Sequence, residues 1–159
     1  STLMDTLGNA GYEHYEISNF CRPGMYSRHN TSYWKGIPYL GCGPSAHSFN
    51  TDAREWNISS LEDYIHSIEN NHRRFENEYL DRTTRYNECI MTSIRTKRGL
   101  SLNDLEREFG KGLWQYCMNM ARPHLDSGKL EIRDSHLCLT RKGIFVSDSI
   151  MSDLMFIED

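Results

Sequence analysis

The chain opens with apolar residues at helical spacing, Leu3, Met4 and Leu7, and Asn9-Ala10-Gly11 supplies a helix stop. Tyr12-Glu13-His14-Tyr15-Glu16-Ile17-Ser18 then alternates ring or aliphatic residues with polar ones, the period-two mark of a strand. A helix that ends in glycine and runs straight into a strand predicts the αβ step of a parallel α/β unit. Cys21-Arg22-Pro23-Gly24 breaks the chain into a loop, and a short helical turn is expected over His29–Trp34, ending near Gly36. Pro38 precedes a second short strand, Tyr39–Gly43, whose glycines predict close approach of another backbone. Arg54–Asn57 reads as a small edge strand.

From Ser60 onward the period lengthens to that of a helix. Ser59 or Ser60 caps a helix containing Leu61, Tyr64, Ile65 and Ile68, with Glu62 and Asp63 favourable in its first turn. Asn70-Asn71-His72 ends it. Leu80–Thr96 carries Tyr86, Cys89, Ile90, Ser93 and Ile94 on one face of a further helix. Ser101 opens a short helix that Gly110 closes, and Leu113–Ser127 follows, with Pro123 confining or kinking its last turn. Lys129–Arg133 and His136–Leu139 flank Asp134-Ser135 as a compact hairpin. Thr140 caps a C-terminal helix rich in Ile144, Phe145, Ile150, Met151 and Leu154. From Leu80 the order of helices, hairpin and helix is a winged-helix pattern.

Composition narrows the class. The 159 residues are enough to bury a real core without disulfide staples, and the net charge of -4 lacks the basic excess of a nucleic-acid binder. Arg95, Lys97, Arg98, Arg107, Lys111, Arg122 and Lys129 lie in the winged-helix region, but Asp104, Glu106, Glu108, Asp126, Glu131 and Asp134 dilute them. The expectation is a structural or partner-binding subdomain with no nucleic-acid partner. No apolar stretch reaches the length of a membrane span. Cys21, Cys42, Cys89, Cys117 and Cys138 show no CxxC spacing, which suits reduced thiols in a cytoplasmic protein better than a metal centre. Ser1 to Ala10 reads as the middle or end of an amphipathic helix, so the chain is expected to be the C-terminal part of a longer protein.

Candidate chemistry gathers in His29-Asn30-Thr31-Ser32-Tyr33-Trp34. A neutral imidazole at His29 ligates iron or another transition metal. Tyr33 lies four positions on and shares its helical face. Trp34 offers a broad plane for a flat macrocycle, and Arg22, Arg28 and Lys35 surround the segment. Guanidinium groups at Arg22 and Arg28 suit carboxylates such as porphyrin propionates. The same residues also suit a loop anchored by His29 and Asn30, with Tyr33 and Trp34 filling core. A second stretch, Gly41-Cys42-Gly43-Pro44-Ser45-Ala46-His47, is a small-residue corner of the kind that contacts ligands, or simply a tight turn. His14 and His47 compete with His29 as ligands.

The residues Gly11–Phe20, Arg22-Pro23-Gly24, Arg28-His29-Asn30 with Tyr33-Trp34, and Tyr39-Leu40-Gly41 with Gly43-Pro44-Ser45-Ala46-His47-Ser48 resemble the C-terminal part of the radical SAM family of HemN-like proteins. Within it they look like the HemW branch of haem chaperones, also labelled oxygen-independent coproporphyrinogen III oxidase-like. The resemblance implies an α+β chain. Residues 1–57 would be the terminal αβ portion of a partial (β/α) barrel, and residues 58–159 a HemN-type helical, winged-helix-like domain. It implies that HNxxYW (His29, Asn30, Tyr33, Trp34) binds haem, with His29 as metal ligand, and that the protein passes haem to an acceptor protein. Coproporphyrinogen oxidation is the alternative activity, and a winged-helix nucleic-acid or protein-binding module the alternative class. The family's [4Fe–4S] cluster and S-adenosylmethionine depend on a CxxxCxxC loop that this chain does not contain, so they belong to the longer parent and its N-terminal radical SAM domain. An incomplete barrel piece is expected to expose an apolar face through which the chain self-associates as a homodimer.

Overall fold

The computed structural model describes residues 2–157, which form two compact units: residues 2–35 with 82–157, and residues 36–81. The first begins with helix α1 (Thr2–Asn9), which ends where Tyr12 N–H reaches back to the Leu7 carbonyl and Gly11 takes φ 81°. Strands β1 (Glu13–Glu16) and β2 (Asn19–Cys21) follow as an antiparallel hairpin pairing Glu13 with Cys21 and His14 with Phe20. Among the described residues β1 has no parallel partner; its pairing with β2 is antiparallel, across a reversal at Ile17-Ser18. Its cause is local: the Glu16 carboxylate accepts from Ser18 N–H at 3.1 Å and from the Asn19 amide, closing the turn. Helix α2 (Arg28–Trp34) starts at Ser27, whose Oγ accepts from Asn30 N–H, and stops before Gly36 at φ 60°.

The second unit is a three-stranded antiparallel sheet with one helix. Strand β3 (His47–Phe49) and β4 (Ala53–Asn57) form a hairpin whose turn is held by Asn50 Oδ1, which accepts from Asp52 and Ala53 N–H. Helix α3 (Leu61–Glu69) is capped by Ser60, and β5 (Phe75–Tyr79) returns beside β4. Arg54–Asn57 thus lies in the central strand, not an edge one. The strand expected over Tyr39–Gly43 reduces to a single bridge between Tyr39 and Phe49. Glycine and proline around it leave too few ladder donors and side chains to extend the pairing.

The chain then returns to the first unit and supplies its main core. Helix α4 (Arg82–Ile94) leads to the short strand β6 (Leu100–Ser101) and helix α5 (Leu102–Asp126), which is broken at Gly110, where φ 71° and ψ 171° are not helical. Strands β7 (Leu130–Arg133) and β8 (His136–Leu139) form the expected hairpin, with Asp134 and Ser135 both at positive φ, and β6 adds to β8. The C-terminal helix is two pieces, α6 (Arg141–Ile144) from the Thr140 cap and α7 (Ser147–Leu154), separated at Phe145-Val146. Gly143 is required because a Cβ there would collide with the Lys129 carbonyl.

Tyr86, Ile90, Ile94, Leu105, Cys117, Leu137, Ile150 and Leu154 are fully buried in one cluster. Truncating any of these leucines or isoleucines to alanine removes about 2–5 kcal/mol. Tyr86 Oη donates to the Leu154 carbonyl at 3.0 Å, satisfying its buried hydroxyl. No helix among the described residues is long and apolar enough to cross a membrane.

Candidate functional site

Helix α2 carries His29, Asn30, Tyr33 and Trp34, and its geometry sorts them. His29 and Tyr33 are four apart, and their rings meet edge to face at 4.8 Å on the exposed side. Trp34 lies about 140° around the helix from His29 and is half-buried. It faces inward, with the Arg95 guanidinium over its ring at 4.5 Å. The motif thus presents an imidazole outward while its indole is held from the other side.

What holds the indole is a buried ion pair that pattern reading did not find. Arg95 Nε donates to Glu16 Oε1 at 2.7 Å, and the Glu16 side chain is fully buried. Two backbone bonds reinforce the junction: Ile17 N–H to the Arg95 carbonyl and Lys97 N–H to the Tyr15 carbonyl. Burial pushes the Glu16 carboxyl up, but hydrogen bonds from Arg95, Asn19 and Ser18, with the Arg95 charge, outweigh it and hold its pKa below the ordinary value. Glu16, Arg95 and Trp34 therefore form a continuous stack linking the β1–β2 hairpin, α4 and α2.

The remaining candidates fall in different places. Arg22 lies over the Tyr12 ring at 5.9 Å, and Arg28 is exposed in the first turn of α2. His14 stacks on Phe20 at 4.2 Å and its Nε2 bonds the Ile17 carbonyl, so that nitrogen is already committed. Gly41, Gly43 and His47 belong to the second unit. Gly41 is needed there: a Cβ would collide with the His47 backbone, the close approach expected of it. Gly41 and Gly43 carbonyls accept from Asn57 Nδ2, Arg73 Nε holds Asn57 Oδ1 at 2.8 Å, and the His47 ring lies 5.9 Å from Trp56. This corner is built as a hydrogen-bonded turn.

A cavity of about 820 Å³ opens in the first unit on the Thr31, Trp34 and Lys35 side of α2. Its other walls come from Tyr15, Tyr26 and the segment that joins α4 to α5. Its size suits a small organic molecule. His29 is not among its lining residues. Cys89 in its wall has its thiol pushed up to about 11 by burial, so it stays protonated at neutral pH. Among the described residues no three His, Cys, Asp or Glu side chains gather as a metal set.

Residues 80–146 match the HemN C-terminal domain family. Along 158 residues the sequence is 30% identical to the heme chaperone HemW of Mycobacterium tuberculosis, covering 96% of this chain and 38% of that protein. The chain is HemW-like. The heme chaperone HemW of Lactococcus lactis is 32% identical over 107 residues, which cover 67% of this chain and 28% of that protein. The chain spans less than two-fifths of the length of these HemW relatives. Its fold matches the coproporphyrinogen III oxidase HemN of Escherichia coli, a radical SAM enzyme, with a TM-score of 0.70 at 17% identity, covering 97% of this chain and 39% of that one. The mixed helix and sheet arrangement is thus that of a HemN-type protein.

Proposed function

We propose that the chain is the C-terminal part of a haem chaperone in which His29 ligates haem iron for delivery to an acceptor protein. The observation that carries this reading is the exposed imidazole of His29, backed edge-on by Tyr33, on a helix whose other side is anchored by the Trp34–Arg95–Glu16 stack. A ligand group that faces outward from a fixed helix can take up cargo and release it to a partner. The similarity to HemW heme chaperones supports haem as that cargo. The exposure of Arg28 at the start of the same helix supports it as the partner of a propionate, with Arg22 the second candidate. In the same reading residues 1–57 continue the radical SAM barrel of the parent, and residues 58–159 form its winged-helix-like C-terminal domain. Exposed Leu40, Leu61 and Tyr79 support contact with that parent domain or a second copy. Cluster and S-adenosylmethionine chemistry has no seat on these dispersed cysteines and belongs to the parent's upstream domain.

Haem titration followed at the Soret band tests the assignment. His29→Ala should shift the band and weaken binding at least tenfold, while His14→Ala should leave both unchanged. An unaltered spectrum and affinity in His29→Ala would overturn it.

A further inference from the structure

Two buried side-chain polar atoms among the described residues have no hydrogen-bond partner: the indole Nε1 of Trp34 and the ring Nε2 of His136. Both residues line the cavity of about 820 Å³ beside α2. Buried polar atoms are nearly always satisfied, and these two nitrogens have under 1 Å² of open surface, so a ligand in this cavity meets them through a small turn of the two side chains toward it. Their chemistry restricts it. The indole N–H only donates. His136 Nδ1 lies 2.8 Å from the Asp134 carbonyl and so carries a proton, leaving Nε2 to accept in the neutral ring or to donate in the charged one. An anion accepts from the Trp34 N–H and from Nε2 of the doubly protonated His136 ring.

The rest of the wall agrees with an anion on an aromatic body. Tyr15 and Tyr26 meet edge to face at 5.3 Å and with Trp34 give flat apolar lining. Lys35, Lys97, Arg98 and Arg133 bring four positive charges to the wall, against two carboxylates, Asp104 and Glu108. Both carboxylates are already paired with cations outside it, Asp104 with Arg107 at 2.6 Å and Glu108 with Arg85 at 2.9 Å. Lys97 and Arg133 in turn lean on Glu13 at 3.7 Å and Glu131 at 3.3 Å; with all four partners counted, six cations stand against four carboxylates, so the field stays positive.

We propose that this cavity is a binding site for a flat organic carboxylate, its oxygens bonded by the Trp34 N–H and a protonated His136 and its rings lying against Tyr15 and Tyr26. The site is separate from His29, which points from another face of α2, and does not depend on the haem reading.

Calorimetric titration of the chain with 2,6-naphthalenedicarboxylate tests it, alongside proton spectra of the histidine rings. One saturable site is expected, with the His136 ring signal moving during the titration. The uncharged dimethyl ester should bind at least tenfold more weakly. Trp34→Phe, which keeps a ring but loses the N–H, and His136→Phe should each weaken binding about tenfold, with His136→Gln less affected, while His29→Ala binds as the parent does. Absence of saturable binding, equal binding of the ester, or a still His136 signal would each overturn the proposal. The last readout is taken on the unaltered chain, so it decides the matter even if a variant fails to fold. A cavity that instead seats a segment of protein gives the first of these results.

Discussion

Arg95→Ala should destabilise the chain by about 3 kcal/mol, the lower end of the cost of breaking a buried ion pair. The loss has two parts. The larger is the Glu16 carboxylate, whose side chain is fully buried and which would keep only the Asn19 and Ser18 donors. The smaller is the guanidinium over Trp34, on the order of 0.5–1 kcal/mol for a partly exposed cation–π contact. Arg95 itself is 27% exposed at its side chain, so water softens the loss, which places the total at the lower end of the range. Urea unfolding checks the figure: the midpoint should fall with an unchanged slope. Glu16→Gln in the Arg95→Ala background should then recover more than half of the loss, because the residual penalty is an uncompensated charge. A single-variant loss below about 1 kcal/mol, or a double variant no more stable than Arg95→Ala, refutes the argument that a buried charge pair holds this junction.

Further outcomes follow from the same geometry. Because Glu16 is held below its ordinary pKa of 4.5, its contribution is fully present above that value and is lost as pH falls through the lower folded one; acid unfolding of Glu16→Gln should show a shallower pH dependence below 4.5 than the parent. Gly110→Ala should cost about 2 kcal/mol in thermal unfolding, since φ 71° with ψ 171° is a region only glycine occupies comfortably and a Cβ would also press on Arg82. Thr140→Ala should cost about 1 kcal/mol by the same assay, through loss of the cap on Gly143 N–H, with Thr140→Ser largely restoring it.

Helix ends were the most legible part of the sequence because single residues write them. Gly11, Ser60, Ser101, Gly110 and Thr140 each act where their chemistry predicts, as a left-handed stop, a side-chain cap or a break. The hairpin at Asp134-Ser135 was equally local. Strand pairing was not. The β1–β2 reversal depends on a buried glutamate that satisfies the turn, and alternation in Tyr12–Ser18 says nothing of where a strand's partner comes from. Strands β3 and β5 carried no signal: His47–Phe49 is too short for a period, and every residue of β5 is exposed. In the site, the His29–Tyr33 pair follows from spacing alone. The partners of Trp34 do not, because Glu16 and Arg95 meet across 79 positions of sequence.

That long-range stack changes what the tryptophan of HNxxYW does for the histidine. A seven-residue helix is too short to hold its own shape in water, so α2 needs an anchor if His29 is to keep one orientation. Trp34 is that anchor: its ring lies against a guanidinium whose other side is tied to a buried carboxylate. Removing the indole and removing Arg95 should then disturb haem binding alike, although Arg95 is not part of the motif. His29→Ala differs in kind, since it deletes the proposed ligand and leaves the helix in place. The three variants together separate ligation from anchoring: a Soret shift that appears in His29→Ala but not in Arg95→Ala, with affinity reduced in both, is the pattern an anchored ligand helix produces. Arg95→Ala with unchanged haem affinity would mean that α2 keeps its place without the stack.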